Sequence, residues 1–248
     1  YPEIRLIANH TNLGFGKANN IGMQIALKED YDAVFLLNQD AWIDPKTLGS
    51  LAQESLRHPD YAILSPVHLN GNGTELEKGF ASYVQVSSRN NLPAENRLTE
   101  CPFINAAFWF IPTGILKKTG GFSSLFYHYG EDKDYANRIH FHGYRIGYLP
   151  TVFGCHDREF RKVSLEGFLR AERVYLLSEY ANINYGFIQA FAYGVLAGIK
   201  KLVIALLKGN WTHAKGYAGI VSGLLCQTPA ICRIRKQTKQ SYPNFLMS

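Results

Sequence analysis

The run Val34-Phe35-Leu36-Leu37-Asn38-Gln39-Asp40 constrains this chain more than any other window. Four large or β-branched apolar residues in a row suit a strand covered on both faces. The run then stops at a carboxylate. Open α/β sheets gather their ligands beyond the carboxyl ends of the strands. A carboxylate placed there can hold a divalent cation against a diphosphate. The competing reading is a turn aspartate that simply leaves a strand.

The surrounding pattern alternates strand and helix. Residues 3–8 read as a strand, followed by the Asn- and Gly-rich turn Asn12-Leu13-Gly14-Phe15-Gly16 and a helical pattern over 17–28. Asp44 can N-cap a helix with Pro45 at its first position, running to about Arg57. A short strand over 62–65 is expected to stop at Pro66. Residues 68–100 lack strong periodicity and read as loop and hairpin, an insertion suited to touching a substrate. An apolar strand covers 103–111, and a helix runs over 131–141 to Gly143, a fitting C′ glycine. A strand over 144–149 is expected to stop at Pro150, and the pattern is helical from 165 to about 234. This alternation predicts an α/β fold with a mostly parallel sheet flanked by helices. Residues 1–164 form the α/β domain and 165–248 a helical C-terminal region.

Composition narrows the class. The chain has 248 residues, 46% of them apolar and 19% charged, which is globular rather than disordered. A net charge of +6 suits nucleic acid, anionic lipid or a phosphorylated substrate without choosing among them. Cys101, Cys155, Cys226 and Cys232 show no CxxC spacing. This argues against zinc and against a disulfide framework, and fits a reducing cytoplasm. No signal peptide is visible. The stretch 187–207 is the most apolar, but Lys200 and Lys201 lie well inside it and argue against a simple transmembrane helix.

A second acidic cluster, Gly130-Glu131-Asp132-Lys133-Asp134, opens the helix over 131–141. Unpaired N–H groups and the helix dipole favour acids in a first turn. Three acids in four residues exceed that need, since clustered like charges raise a pKa or call for a cation. One of them can serve as general base toward a hydroxyl. His156-Asp157 follows a strand that can return to the same sheet edge, and imidazole accepts first-row metals. The Gly14-Phe15-Gly16 turn could bring N–H groups to phosphates, but Asn19 stands where the dinucleotide fingerprint needs glycine.

Taken in order, Asn12 to Gly22, Leu36-Leu37-Asn38-Gln39-Asp40, Gly120-Gly121-Phe122 and Gly130-Glu131-Asp132-Lys133-Asp134 resemble glycosyltransferase family 2. The flavour is that of the bacterial rhamnosyltransferase-like branch, and the match spans about residues 1–157. The resemblance implies a GT-A fold, a nucleotide-sugar donor, Mg²⁺ or Mn²⁺, and inversion at the anomeric carbon. It places Asn38-Gln39-Asp40 at the family's DxD position, with Asp40 on metal and diphosphate. Asp132 falls at the catalytic base, and His156 where some members add a metal ligand. Gly14, Gly16, Asn19, Asn20 and Asn38 would meet the donor, Glu131 and Asp134 would shape the acceptor site, and Arg138 would support the helix or face a phosphate. Three departures stand out. Asn38 replaces the first DxD aspartate, Ser123-Ser124 replaces an acidic pair, and Ala106 stands where glycine is frequent. Relative to the family, two strands and a helix are expected ahead of Tyr1, so the domain reads as N-terminally incomplete.

The leading expectation is therefore an inverting glycosyltransferase, a hexosyl- or rhamnosyltransferase, acting on a bacterial cell-surface glycan or lipid-linked acceptor. The alternatives are a non-catalytic nucleotide-sugar-binding fragment and a basic nucleic-acid-binding protein, though no nucleic-acid motif accompanies the charge. In the C-terminal region, Lys200, Lys201, Lys208, Lys215, Arg233, Arg235, Lys236 and Lys239 are interspersed among apolar residues. This suits either an ordinary helical cap or a basic amphipathic surface on an anionic leaflet. The second reading places the enzyme in the cytoplasm, peripheral to the inner face of the membrane.

Overall fold

The computed structural model of the chain describes residues 3–95, 97–157 and 164–246. Its strands are β1 (Ala33–Leu37), β2 (Ala41–Ile43), β3 (Tyr61–Asn70), β4 (Thr99–Glu100), β5 (Phe108–Pro112) and β6 (Arg145–His156). They lie in the order β1-β5-β3-β6-β2, with β4 also on β6. β5 runs antiparallel to both β1 and β3, so β1 and β3 point the same way. β6 is parallel to β3. The carboxyl ends of β1, β3 and β6 therefore emerge at one end of the sheet. The α/β class stands, but the sheet is mixed rather than mostly parallel: β3–β6 is the only adjacent parallel pair among the described residues. Strand–helix alternation orients β1, β3 and β6. It is blind to β5, whose apolar sequence reads the same in either direction.

Neither proline ends its strand. β3 continues through Pro66 to Asn70, and β6 continues through Pro150 to His156. Pro66 pairs with Leu149, but Val67 pairs with Phe153, so Pro150 lies inside an irregularity. There its missing N–H disrupts no regular ladder. This continuation carries Asn70 and His156 into register with each other, and His156 with Ala41.

Other expectations also shift. Residues 3–8 pair with no strand among the described residues, and Leu6 is 86% exposed. The stretch 68–100 is more ordered than a loop. It holds the end of β3, the helix α3 (Lys78–Val84) and a 3₁₀ turn at Arg89–Asn91. β5 begins at Phe108 rather than 103, because Ile104 and Asn105 make a local turn: the Trp109 indole donates to Ile104 O (3.2 Å) and Ala107 N to Asn105 Oδ1 (3.4 Å). α2 (Thr47–Arg57) starts after a turn in which Asp44 Oδ1 accepts from Lys46 N.

Side chains alternate across the sheet, as a period of two requires. Ile63, Trp109 and Ile111 join the cluster formed with α1 (Phe15–Lys28), α4 (Thr113–Thr119) and α5 (Glu131–Phe141). Leu64 and Phe110 join Leu51 of α2 on the other face. The C-terminal helices are α6 (Leu165–Ala181), α7 (Phe187–Phe191), a π-helical stretch (Ala192–Leu196), α8 (Ala197–Leu207) and α9 (Trp211–Thr238). They share a separate cluster that Phe126 joins.

The turn between α4 and α5 crosses the core and carries its polar backbone with it. Asn20 of α1 grips Phe122 on both sides: its Nδ2 donates to Phe122 O (2.9 Å), and its Oδ1 accepts from Phe122 N (2.7 Å). Arg138 of α5, 1% exposed, donates to Thr119 O and Gly121 O. Asn20→Ala would leave a buried N–H and C=O without partners. It should lower unfolding free energy by about 2–4 kcal/mol, read as a shifted urea midpoint at unchanged m-value.

Candidate active site

Three of the predicted side chains meet where β1 and β6 end. Asp40 lies in the turn between β1 and β2, tied by its own carbonyl to Asp157 N (2.9 Å). Its Oδ1 lies 3.3 Å from His156 Nε2. The Asn38 amide lies 3.3 Å from the same nitrogen. His156 is buried, whereas the Asp40 side chain is about half exposed. Its Nδ1 has no hydrogen-bond partner among the described residues. The carboxylate and the imidazole nitrogen form a donor pair that suits Mg²⁺ or Mn²⁺, with diphosphate oxygens and water completing the shell. Among the described residues no group of three His, Cys, Asp or Glu converges, so the protein would supply two strong ligands and leave the rest to the substrate.

The second acidic cluster reaches the same end of the sheet. Asn38 N donates to Ala107 O (3.2 Å), and the N–H of the neighbouring Ala106 faces the Asp132 carboxylate. Two adjacent residues thus link Asp132 to the Asn38 turn. Burial pushes the Asp132 carboxyl above the ordinary carboxylate range, with the N–H groups of Lys133 and Ala106 opposing it. Lys133 N donates to its Oδ1 at 2.7 Å. Glu131 is also raised, first by burial and then by the charge of Asp132. Its Oε2 is buried without a partner among the described residues.

Asp134 faces elsewhere. Its Oδ2 pairs with Arg138 at 2.8 Å, and both are buried. The carboxylate is thus committed to holding α5, and so is Arg138. An acceptor contact from Asp134 would require breaking that pair. Burial raises its pKa, with Arg138 opposing.

The Gly-rich turn is also used internally. Gly14 has φ 77°, and a Cβ there would lie 2.0 Å from Tyr127 O. At Gly16 a Cβ would lie 2.9 Å from Phe122 Cβ. Asn19 Nδ2 donates to Phe15 O within α1, and the Asn20 amide is spent on Phe122. Gly14, Gly16 and Asn20 explain how α1 fits against the 120–127 segment. Their contacts do not run to Asn38, Asp40 or His156.

A cavity of about 210 Å³ extends from His156 and Asp157 to Asn70, Glu75, Glu77 and Lys78. Behind it Glu77 accepts from Asn105 Nδ2 (3.3 Å) and lies 3.9 Å from His68 Nδ1. His68 is fully buried, stacked on Phe80 and bonded to Ser65 Oγ (2.8 Å). Burial lowers its pKa. Sequence reasoning missed Asn70, Glu77 and Asn105. The available signal was a single acid, Glu77, beside an apolar helix start, where its side chain caps α3.

Glu131 gives a test of this electrostatic description. A buried acid with a raised native pKa binds its proton more tightly folded than unfolded. Its contribution to stability is therefore greatest below the unfolded pKa and declines as pH rises toward the native one. The Tm advantage of Glu131→Gln over wild type should grow between pH 4 and pH 7.5. A constant difference in thermal melts would contradict the burial of this charge.

The model of the family described as glycosyl transferase family 2 matches residues 1–120. No curated protein matches the chain. Among solved structures, the chain is similar to a crystal structure of GalNAc-T7 with UDP, GalNAc and Mn²⁺ (TM-score 0.50, 11% identity). That likeness covers 73% of this chain and 40% of the other, so the chain spans less than half of that protein's length. The architecture is GT-A-like.

Proposed function

We propose that this chain is the catalytic part of a glycosyltransferase that moves a sugar from a nucleotide-sugar donor to an acceptor hydroxyl, with inversion at the anomeric carbon. One observation carries the reading: Asn38, Asp40 and His156 converge beyond the ends of β1 and β6, with Asp132 linked to them through Ala106 and Ala107. The family 2 match over residues 1–120 and the GT-A-like fold support it.

In this mechanism Asp132 accepts the proton of the acceptor hydroxyl as that oxygen bonds to the anomeric carbon. The bond from that carbon to the diphosphate oxygen breaks, and the nucleoside diphosphate leaves with the electron pair. The raised pKa of Asp132 brings it closer to working pH, where a general base is most effective. Mg²⁺ or Mn²⁺ held by Asp40 and His156 would supply positive charge to the departing diphosphate. Glu131, next to the base in sequence, is the residue assigned to the acceptor in this reading, and the motif resemblance is what supports that role. The finer reading is hexosyl or rhamnosyl transfer to a bacterial cell-surface glycan or lipid-linked acceptor, and the motif resemblance is what supports it.

Two variants test the assignment. Asp40→Ala should abolish Mn²⁺-dependent nucleoside-diphosphate binding in calorimetry while the fold stays intact, and unchanged affinity would contradict it. Against a panel of nucleoside-diphosphate sugars, Asp132→Asn should lower kcat by roughly two to four orders of magnitude with donor binding near normal. Turnover close to wild type would exclude Asp132 as the base.

A further inference from the structure

We propose that the outward face of the continuous helix Phe187–Leu207 lies flat in the interfacial layer of an anionic membrane leaflet. The helix is long and apolar enough to cross a bilayer, yet only 28% of its most apolar stretch is buried. A surface helix in water normally turns apolar residues inward and polar ones outward. Here the inward face is tight and small: a Cβ at Gly194 would lie 2.5 Å from Tyr180, and one at Gly198 3.0 Å from Val221. Phe191, Val195 and Leu202 pack inward, yet a second set of large apolar side chains points out. Ile188, Tyr193, Leu196, Ile199, Val203 and Leu207 are all exposed, Ile188 and Leu207 more than four-fifths so. An exposed apolar stripe of this size marks a partner or a membrane.

The connections decide between lying on the bilayer and crossing it. The segment entering the helix is tied to α5 by Asn184 Nδ2, which donates to Asn137 O (2.8 Å), and to α9 by Arg235, which donates to Tyr185 O (2.8 Å). The segment leaving it turns at Gly209 and Asn210, and Asn210 caps α9 through His213 N (3.2 Å). Both ends stay in one packed helical layer, and the inward face of the helix packs in one core with residues of α6 and α9. Lys200 sits in the middle of the exposed stripe, where a snorkelling lysine reaches headgroups from a flat helix but not from a bilayer centre.

Charge selects the occupant. The chain has no Asp or Glu after Glu179 but eight Lys and Arg. Lys200 and Lys208 lie on or beside the stripe, and Lys215 follows on α9; all three are exposed. A cavity of about 210 Å³ between α8 and α9 is lined by Lys201, Lys208, Asn210 and His213; Lys201 is paired there with Glu172, so Lys208 is the cation this corner offers to lipid phosphate. Trp211, 72% exposed, stands at the same corner, an amphipathic ring of the kind found at membrane interfaces. A symmetric pairing with a second copy would set Lys200 and Lys208 against the same charges. All four cysteines are free thiols, which suits the reducing, inner side. The helical layer that carries this face packs on the start of α5 through α6: a Cβ at Gly130, next to Glu131 and Asp132, would lie 2.6 Å from Val174.

Sedimentation of the full chain with lipid vesicles tests this, and the readout does not depend on transferase activity. The chain should be retained by phosphatidylcholine vesicles containing phosphatidylglycerol, not by phosphatidylcholine alone. Retention should weaken as salt rises from about 0.1 M to about 1 M, where screening shortens to ~3 Å. Ile188→Glu with Leu207→Glu should weaken it by roughly tenfold or more, and Lys200→Ser with Lys208→Ser should remove most of the preference for anionic lipid, with unchanged thermal melts. Equal retention on both vesicle types, absence of retention at low salt, or indifference to both pairs of substitutions would overturn the proposal. So would a dimer in analytical ultracentrifugation that Ile188→Glu with Leu207→Glu converts to monomer.

Discussion

The turn at Gly120-Gly121-Phe122 passes through the core, and its backbone polar groups must find partners there. A buried N–H or C=O without one costs about as much as several ordinary contacts provide. Two side chains from different helices meet the requirement: Asn20 of α1 grips Phe122, and Arg138 of α5 holds Thr119 O and Gly121 O. Arg138 is itself neutralised by Asp134. The turn therefore locks α1 to α5 and fixes where the first turn of α5 enters the site. From that turn of α5 Asp132 faces Ala106, and Ala107 accepts from Asn38 N in turn. The chemistry at the strand ends rests on polar bookkeeping in the core behind it.

The sequence makes some of this legible and hides the rest. Val34–Leu37 reads as a strand because its apolar run is local, and the structure places Asp40 in the turn after it. His156 is legible as a neighbour only if its strand comes back beside β2. Pro150 obscured how far that strand runs, since the bulge that accommodates it depends on the register with β3. The pairing of Asp134 with Arg138 follows helical i,i+4 spacing and was open to inspection. The Asn20 clamp was not, because its partner lies 102 residues away. The same limit hid Glu77 and Asn105, which meet only once α3 folds against β3. The close packing of Gly14 against Tyr127 and of Gly16 against Phe122 was equally hidden, because those partners lie more than a hundred residues away.

The C-terminal helices add a different constraint. Their inner faces build a core of their own, joined to the sheet domain through Phe126 and by the contact of Val174 with Gly130. Their outer face departs from the usual pattern of a water-facing helix, and the exposed charges on it, Lys200 and Lys208, are both positive. A π-helical stretch at Ala192–Leu196 lies within the same helix; such bulges recur at functional surfaces. The layer that would meet lipid thus packs directly against the start of α5, where Glu131 and Asp132 lie.

The central claim is that Asp40 and His156 together hold the cation that meets a donor's diphosphate. Pulsed electron paramagnetic resonance on Mn²⁺ bound with a nucleoside diphosphate tests it most directly, because an imidazole nitrogen in the coordination shell gives a characteristic modulation. The account predicts that modulation in the wild-type chain and its loss in His156→Ala, with Mn²⁺ still bound more weakly through Asp40. An imidazole signal that persists in His156→Ala, or none in the wild type, would contradict it.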